Sequence, residues 1–385
     1  MKILYVTGAG KYGAYILSRE LFKIWLKHGH EIVFVSYGPD ALVEFAQEHK
    51  IRVYTLPLVR TFQIFRALRL AKIVKLEKPD VIHACNMLAG RFLCAVASVL
   101  SRTPLVLYLG IPQKIYNNNP VIKMVQRFLH RWTVLQARSI ISVTHFLAEE
   151  LRTELSLTPN IDIAVIPIGV DPEQIPEKKY DLTDAFVPHN PVKLVQVARL
   201  APEKGQSTVL HAVRDVIEKG HQVTLDFIGD ASYPNYTVFL HNLRNKLGLS
   251  AQTVRFLGFH PVSQIYELLQ NYDLFLHPSR DEAQGISVLE AMAAGLPVIV
   301  ANDGGQKEIV INEKTGLWVP PNDPLALSGA IIDLITKPQK MFEMGRAGRR
   351  HVTTHLSIEQ TELKLIRFYE QLFERFSREG LLLCR

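Results

Sequence analysis

Short apolar runs alternate with longer amphipathic stretches along almost the whole chain. In the first half, the apolar runs predict strands over residues 2–7, 31–36, 81–84 and 105–109. A helix is predicted over residues 13–28, where Gly29 ends it. Short β-branched runs separated by helices are typical of parallel sheets with crossover helices. The pattern therefore predicts an α/β protein.

The same alternation restarts in the second half, after a break that contains four prolines between Asp171 and Pro191. It predicts strands over 193–198, 222–228, 253–256, 273–276 and 298–301, and helices over 205–219, 235–247, 261–270 and 286–294. Ser357 and Gln360 have the spacing of a capping box, which predicts a last helix ending near Glu379. We therefore expect two doubly wound domains. Their predicted bounds are 1–172 and 192–356, with a linker over 173–191 and a C-terminal helix within 357–385.

Length and composition fit this division. The chain has 385 residues, 48% of them hydrophobic and 21% charged, which suits two globular domains. The sequence has no apolar run near the ~20 residues needed to cross a bilayer and no signal-peptide pattern, so a cytoplasmic protein is expected. Its three cysteines suggest neither a disulfide framework nor a metal site.

Positive charge is concentrated in the first half. Residues 1–170 carry 21 Lys and Arg against 11 Asp and Glu, and residues 50–140 carry 15 basic side chains against two acidic ones, Glu77 and Asp80. Such a bias favours an anionic partner, for which a membrane surface, a phosphate-bearing substrate and nucleic acid are the candidates. The sequence contains no recognisable nucleic-acid-binding module, so nucleic acid is not expected as a partner.

The stretch VTGAGKYG places Gly8, Gly10 and Gly13 in a G-x-G-x-x-G pattern directly after the first predicted strand. This pattern is typical of dinucleotide-binding turns, but such a site also needs an acidic residue at the end of the second strand. That strand ends at Ser36, and the acidic Glu31 lies at its start. The sequence therefore does not favour NAD.

The densest candidate chemistry lies in residues 277–310. Glu282 and Glu290 are separated by seven residues, and Gly285 between them precedes a predicted helix. Backbone amides near Ile286 and Ser287 would be free donors at the helix N-terminus, which suits a phosphate. One carboxylate could then contact the distal part of a ligand and the other its proximal part. The alternative is that two surface glutamates flank an ordinary helix.

A second candidate group lies on the loop after the strand at 193–198. Arg199 and Lys204 place a guanidinium and an ammonium before the next helix, where they suit a diphosphate leaving group. Taken alone, they could be a surface charge pair. Together with the glutamates they indicate a site for an anionic ligand.

The spacing of Glu282 and Glu290, with Arg199 and Lys204 upstream, resembles that in the retaining glycosyltransferases of the GT-B fold, specifically glycosyltransferase family 4. The segments KHGHEIVFVS, PDVIHA, VIPIGVDP, FIGDA, VRFLGFHP and YDLFLHPS also look like the family's segments, in the family's order. The resemblance covers nearly the whole chain. It implies two Rossmann-like domains facing each other across a cleft, with the C-terminal helix packing back on the N-terminal domain.

The resemblance also implies an activity and roles for the matched residues. Arg199 and Lys204 would bind the donor diphosphate, Glu282 would contact the sugar, and Glu290 would hold the ribose. The amides of Gly285, Ile286 and Ser287 would neutralise the phosphate, and Gly8 and Gly10 would approach the donor. The expected reaction transfers a sugar from a UDP or GDP donor to an acceptor hydroxyl with retention of configuration. The family is metal-independent and uses no cofactor, and this sequence has no D-x-D motif.

Three positions depart from the family's pattern. Gln284 replaces an aromatic residue near the expected donor sugar, and Leu109 and Cys85 each stand where many members have a histidine. Either His83 is packed at a strand end, or it contributes to the acceptor side together with Leu109. The alternatives to a transferase are a nucleotide-sugar-processing enzyme such as a 2-epimerase, and a non-catalytic binding subunit.

The basic first half bears on the acceptor. The stretches 60–78 and 123–132 mix aromatic and aliphatic residues with cations, although without one clean charged stripe. We expect peripheral attachment to an anionic membrane on its inner face, and a lipid-linked glycan acceptor in cell-envelope glycan synthesis. The alternative is a soluble acceptor.

Overall fold

The computed structural model describes residues 1–7, 13–39, 41–56, 64–85, 88–111, 119–158, 161–178 and 189–378. It divides the chain into two compact units. Unit 1 is Met1–Pro167 together with Glu362–Arg385, and unit 2 is Ile168–Thr361. Unit 1 is therefore built from two stretches of the chain and unit 2 from one.

Within its described residues, unit 1 holds a seven-stranded parallel sheet. Its strands are β1 (Lys2–Thr7), β2 (Glu31–Ser36), β3 (Arg52–Thr55), β4 (Val81–Cys85), β5 (Leu105–Leu109), β6 (Ser139–Ser142) and β7 (Ile163–Val165). Its helices are α1 (Gly13–Lys27), α2 (Ala41–Glu48), α3 (Ile64–Glu77), α4 (Leu88–Ser101), α5 (Pro120–Leu135) and α6 (His145–Leu155). The strand order is β3-β2-β1-β4-β5-β6-β7, which reverses direction between β1 and β4 as in a doubly wound fold.

Unit 2 repeats this architecture with a six-stranded parallel sheet in the order β10-β9-β8-β11-β12-β13. Its strands are β8 (Val192–Val197), β9 (Val223–Ile228), β10 (Val254–Gly258), β11 (Leu274–His277), β12 (Val298–Ala301) and β13 (Leu317–Val319). Its helices are α7 (Gln206–Glu218), α8 (Pro234–Lys246), α9 (Val262–Leu269), α10 (Ile286–Ala293), α11 (Gln306–Ile309), α12 (Pro324–Ile335) and α13 (Pro338–His355). The order reverses between β8 and β11.

The prediction of two doubly wound parallel α/β sheets is confirmed. The central strands β1, β4, β5, β11 and β12 are buried along their whole length, which explains their continuous apolar runs. The strands that the pattern did not predict include β3 and β7, which lie at the two edges of the first sheet and are not fully buried. Edge strands need less apolar sequence, so their signal is weak.

The last helix, α14, runs from Ile358 to Arg378, and Ser357 caps it by accepting a hydrogen bond from the Gln360 amide at 3.4 Å. From Glu362 onwards the helix belongs to unit 1. There the Tyr369 hydroxyl lies 2.7 Å from His83 Nδ1, and its ring packs edge-on against Trp25. The expectation that the C-terminal helix packs on the N-terminal domain is therefore confirmed.

Part of the predicted linker, residues 179–188, lies outside the described residues. The residues on either side of it are bonded to Asp273, which is buried just before β11. Lys178 Nζ lies 2.9 Å from Asp273 Oδ1, and His189 Nδ1 lies 2.8 Å from the same oxygen. Both ends of this segment are thereby tied to the start of the strand that leads to the candidate site.

Candidate active site

The candidate residues of unit 2 follow two adjacent strands at the point where the strand order reverses. Arg199 and Lys204 follow β8, and Glu282 follows β11, which pairs with β8. The carboxyl ends of parallel strands meet at one edge of the sheet, and ligands of open α/β sheets bind where the order reverses. The structure therefore brings Lys204 and Glu282 into contact from positions that are far apart in the sequence.

Lys204 ends a single 3₁₀ turn, Pro202–Lys204, that is packed against the loop after β11. Gly205 follows it with φ of 71°, and a Cβ there would lie 2.6 Å from the carbonyl oxygen of Pro278. Only glycine fits such a conformation and approach. The Arg280 amide donates to the Glu203 carbonyl at 2.8 Å, which joins the two loops through their backbones.

The backbone of Glu282 is held by a pair of glycines that follow β12. The Gly305 amide donates to the Glu282 carbonyl oxygen at 2.7 Å. Gly304 has φ of 67°, and a Cβ on it would lie 2.6 Å from both the N and the O atoms of Glu282. The position of the Glu282 Cα therefore depends on glycine at residue 304.

The Glu282 carboxylate receives two donors on one oxygen. Lys204 Nζ lies 2.6 Å and His277 Nε2 lies 2.9 Å from Glu282 Oε2. Burial alone would raise the pKa of Glu282, but the Lys204 ammonium and the His277 hydrogen bond outweigh it and hold the pKa well below its usual value. Glu282 is thus a carboxylate at neutral pH.

Gly285, Ile286 and Ser287 form the N-terminus of α10. Gly285 is the N-cap residue with φ of 92°, and its carbonyl accepts from the amides of Val288 and Leu289 at 3.0 and 3.2 Å. The amides of Ile286 and Ser287 precede these first intrahelical bonds, so the helix offers them no acceptor. Together with the positive end of the helix dipole, they suit a phosphate group.

Glu290 lies in the second turn of α10 and is buried. The Tyr266 hydroxyl donates to its Oε1 at 3.2 Å. Burial raises the pKa of Glu290 to about 7, and the Tyr266 hydrogen bond offsets only part of that effect. The two glutamates therefore differ near neutral pH, because the pKa of Glu282 is lowered and that of Glu290 is raised.

Arg199 does not join the Lys204–Glu282 pair in this structure. Its Nη2 lies 2.7 Å from Glu203 Oε1, and its guanidinium lies over the Tyr233 ring, 5.5 Å from the centroid. The side chain is partly exposed and its ionic partner is on the surface. An exposed pair of this kind costs little to break, so Arg199 can exchange Glu203 for an anionic ligand.

The Gln284 side chain binds the backbone of Ile168, which the sequence did not suggest. Its Oε1 accepts from the Ile168 amide at 3.0 Å, and its Nε2 donates to the Ile168 carbonyl at 2.7 Å. The side chain is buried. We expected this amide near the donor sugar; the structure instead places both of its polar atoms on the backbone of a distant segment.

The candidate residues of unit 1 are core residues. His83 and Leu109 both have no exposed surface. His83 is surrounded by the rings of Tyr5, Trp25 and Tyr108, and burial lowers its pKa to about 3. Of the two interpretations of His83, the packed strand residue therefore fits, and neither side chain is accessible to an acceptor. Gly8 and Gly10 lie outside the described residues.

Sequence reasoning missed His277, Gly304, Gly305 and Gln306. Gln306 Nε2 donates to the carbonyls of Ser279 and Ala301 at 2.8 and 3.1 Å, which joins the loops after β11 and β12. Two consecutive glycines in the loop that follows a predicted strand were a usable signal for a tight backbone approach. His277 gave no such signal, because it reads as the last residue of an apolar strand.

Two doubly wound sheets, with a cation, a carboxylate and a helix N-terminus at the reversal point of the second, are the arrangement expected of a glycosyltransferase with the GT-B fold. The family comparisons agree. Residues 182–351 match the model of glycosyl transferases group 1, and residues 13–174 match that of glycosyltransferase family 4. The chain belongs to the group 1 glycosyltransferases.

Among curated proteins, the chain is 28% identical over 325 residues to an uncharacterized glycosyltransferase of Methanocaldococcus jannaschii, covering 80% of each chain. It is 28% identical over 257 residues to the GDP-mannose-dependent alpha-(1-6)-phosphatidylinositol monomannoside mannosyltransferase of Mycobacterium tuberculosis. That match covers 62% of this chain and 66% of the relative.

Among solved structures, a glycosyltransferase from Rickettsia africae superposes with a TM-score of 0.81 at 21% identity, covering 97% of this chain and 98% of the other. Anabaena HepE in complex with UDP-glucose superposes with a TM-score of 0.78 at 22% identity, covering 96% and 100%. Both likenesses concern the fold.

Proposed function

We propose that this protein transfers a hexose from a nucleoside diphosphate donor to an acceptor hydroxyl, with retention of configuration and without a metal ion. The observation that carries the proposal is the contact of 2.6 Å between Lys204 and Glu282 at the point where the strand order of unit 2 reverses. It supports the proposal because an ammonium suited to a diphosphate lies beside a carboxylate suited to sugar hydroxyls, on the same edge as the α10 N-terminus.

Each group has a part in the proposed reaction. Lys204, with Arg199 once it leaves Glu203, neutralises the diphosphate, and the amides of Ile286 and Ser287 bind its oxygens. The two backbone amides are held by the helix, and fixed donors aimed at a charge that develops in the transition state lower the barrier because they need no reorganisation. This set of donors is the reason that the reaction needs no metal. Glu290 accepts from the ribose hydroxyls.

The proposed mechanism proceeds on one face of the sugar. The bond between the anomeric carbon and the diphosphate oxygen breaks, and the nucleoside diphosphate carries away the negative charge. The acceptor hydroxyl attacks from the same face and gives its proton to the departing phosphate oxygen. Glu282 holds the sugar hydroxyls and does not itself form a covalent bond.

The donor nucleotide is UDP or GDP in this proposal, and the product is a cell-envelope glycan or glycolipid. Two comparisons support this range. The Anabaena protein was solved in complex with UDP-glucose. The mycobacterial relative is a GDP-mannose-dependent phosphatidylinositol monomannoside mannosyltransferase. UDP-glucose and GDP-mannose are therefore the first donors to test.

A lipid-linked acceptor is supported by the surface of unit 1 that α3 and α5 form on either side of α4, here called the α3–α5 surface. The first turns of α5 expose the large apolar side chains Val121, Ile122, Met124, Val125 and Phe128. Exposed apolar groups clustered in this way mark an interaction site. None of the helices described here is both long and apolar enough to cross a bilayer.

The charge of the same surface favours an anionic bilayer as its partner. On α3, Phe65 and Leu68 are exposed beside Arg69, Lys72 and Lys75. Within residues 64–135 the sequence has two acidic residues, and one of these, Glu77, is buried and bound to Lys2 at 2.9 Å. Apolar side chains flanked by cations insert at the boundary between headgroups and acyl chains of anionic lipids.

Binding and turnover together test the proposal. UDP, GDP, UDP-glucose and GDP-mannose are screened by thermal shift, where a ligand that binds the native state raises the Tm. The donor that binds is then incubated with the protein and a lipid or sugar acceptor, and the anomeric configuration of the product is read by NMR. Retention is expected, and an inverted product would contradict the proposal.

The two alternatives give different products in the same assay. A 2-epimerase-like enzyme would convert the donor sugar to its epimer without any acceptor. A non-catalytic subunit would bind the donor and leave it intact. Transfer that depends on the acceptor excludes both.

A further inference from the structure

His277 is the last residue of β11, and its side chain is only 2% exposed. Its imidazole lies parallel to the ring of Phe275, which shares the same face of the strand. Its Nε2 lies 2.9 Å from Glu282 Oε2. A buried strand residue thus contacts the carboxylate that is proposed to hold the donor sugar.

The contact determines where the imidazole carries its proton. Glu282 is ionised, so its oxygen accepts, and His277 must donate from Nε2. The other nitrogen, Nδ1, is buried, and no group in the described part of the chain forms a hydrogen bond with it. Leaving a buried ring nitrogen without a partner costs stability, and a plain apolar residue would pack there without that cost.

Glu282 is held asymmetrically. Lys204 and His277 both donate to Oε2, whereas among the described residues nothing bonds to Oε1. Two donors on one oxygen fix the rotation of the carboxylate and leave the second oxygen available as an acceptor. That is the arrangement a carboxylate needs when it accepts from a sugar hydroxyl.

The two donors differ in mobility. Lys204 has a long flexible side chain and, in the proposed function, is needed by the diphosphate. His277 is enclosed within the sheet edge, and its ring cannot follow a ligand. When Lys204 turns towards the phosphates, the bond from His277 is the one that still holds Glu282 Oε2.

We propose that His277 is a positioning residue that keeps the Glu282 carboxylate oriented towards the donor sugar while Lys204 engages the diphosphate. This rests on the proposed function, in which Glu282 contacts the sugar and Lys204 the diphosphate. The prediction is specific to the sugar: removing His277 impairs the chemical step and leaves binding of the nucleotide part intact.

Three variants separate positioning from packing. His277→Leu removes the donor, His277→Gln retains an N–H near the position of Nε2, and Phe275→Leu disturbs the packing under the ring without touching the bond. Turnover is measured with UDP-glucose or GDP-mannose, depending on which of them the wild type uses. The affinities for UDP and GDP are measured by calorimetry. Tm values confirm that each variant is folded.

His277→Leu is expected to lower kcat by about 10- to 100-fold, the loss typical of a misplaced reacting group. Its affinity for UDP or GDP should change by less than about threefold, about 0.7 kcal/mol, because the proposed function gives the nucleotide no contact with His277. His277→Gln should recover most of kcat, and Phe275→Leu should retain it. Unchanged kcat in His277→Leu, no recovery in His277→Gln, or an equal loss in Phe275→Leu would overturn the proposal.

A measurement that needs no donor tests the bond itself. In the ¹⁵N-histidine NMR spectrum, the signals of His277 are those missing from His277→Gln, and they should show the tautomer protonated at Nε2. Glu282→Gln should shift the Nε2 signal. The tautomer protonated at Nδ1 would overturn the proposal whatever the activity. If neither donor is bound or turned over by the wild type, the proposed function fails, while the spectrum still decides on His277.

Discussion

Gly304 and Glu282 lie so close that any side chain at residue 304 would collide with the backbone of the glutamate. The Cβ of an alanine there would lie 2.6 Å from both Glu282 N and Glu282 O, and the φ of 67° is unfavourable for residues with a side chain. The position of the candidate sugar-binding carboxylate thus depends on a residue that has no side chain.

We therefore expect Gly304→Ala to displace Glu282 and to lower kcat by about 100-fold, because a shift near 1 Å at a reacting group costs that much. The left-handed φ adds roughly 1 kcal/mol of destabilisation, which the Tm reports. Gly329→Ala in α12 is the matched control. Its Cβ meets nothing within 4 Å, and replacing a helical glycine should stabilise by about 0.5–1 kcal/mol without loss of turnover. Equal activity in both variants would contradict the role of Gly304.

Lys204→Met should lower kcat by at least about 100-fold, because it removes the cation proposed for the diphosphate and one of the two donors to Glu282. It should also raise the pKa of Glu282, since the Lys204 ammonium is the largest of the effects that lower that pKa. The pH dependence of donor turnover would then move to higher pH.

Lys219→Met provides the control for Lys204→Met. Lys219 Nζ lies 2.6 Å from Asp215 Oδ2 in an exposed pair of the same unit. Removing an exposed partner changes stability by less than about 1 kcal/mol, and kcat should stay within about twofold of the wild type. A similar loss of kcat in the two variants would show that lost charge in general, and not the pair with Glu282, is responsible.

Glu290 gives a pH-dependent stability with a definite sign. Its pKa is about 7 in the folded protein against 4.5 for the ordinary group, so folding favours the protonated form. The stability associated with this group is present in full below about pH 4.5 and is lost as pH rises through about 7. Glu290→Gln, which resembles the protonated form, should gain stability over the wild type across that window, by up to about 3 kcal/mol above pH 7.

The same substitution should weaken nucleotide binding, because the ionised carboxylate is the better acceptor for ribose hydroxyls. The affinity of the wild type for UDP or GDP should rise with pH through about 7, and that of Glu290→Gln should be flat. Thermal melts and calorimetry between pH 5 and 8 measure both effects. A variant less stable than the wild type at pH 8 would contradict the raised pKa.

The α3–α5 surface predicts a separable membrane phenotype. Met124→Glu combined with Phe128→Glu should reduce co-flotation with phosphatidylglycerol vesicles by about tenfold, because charges at these exposed positions oppose insertion. UDP or GDP binding should be unchanged. Phe239→Glu, at a partly exposed aromatic on α8, is the control and should leave flotation intact. Equal flotation of the wild type and the double variant would contradict membrane binding through the α3–α5 surface. Undiminished binding of the wild type to phosphatidylcholine vesicles at high salt would contradict the preference for anionic lipid.

Much of this architecture follows from local pattern. The bounds of β12 agree with the prediction at both ends, and α10 and α14 agree within one residue, because buried parallel strands and capped helices leave clear signals. Lys204 and Glu282 were also recognisable, since each lies on a loop directly after a strand. Adjacent strands then bring them together without any further information.

The remaining site residues depend on contacts that the sequence does not encode locally. The Gln284 side chain is hydrogen-bonded to the backbone of Ile168, 116 residues earlier. The His83 ring is hydrogen-bonded to the hydroxyl of Tyr369, 286 residues later. An amide beside a glutamate and a histidine at a strand end are both compatible with ligand binding until such a partner is known. His277 is the converse case, because it reads as an apolar strand end and contacts the carboxylate five residues later.

The two-stretch composition of unit 1 has a practical consequence for dissecting the protein. A fragment ending at Pro167 lacks Glu362–Arg378, so the Trp25 and His83 rings lose Tyr369, and the basic Lys27 loses Glu362. Such a fragment should aggregate, because it uncovers apolar surface that the whole chain buries. Unit 2 is the portion suited to expression by itself, and a circular permutant that fuses the α14 segment ahead of Met1 is the rational way to obtain its counterpart.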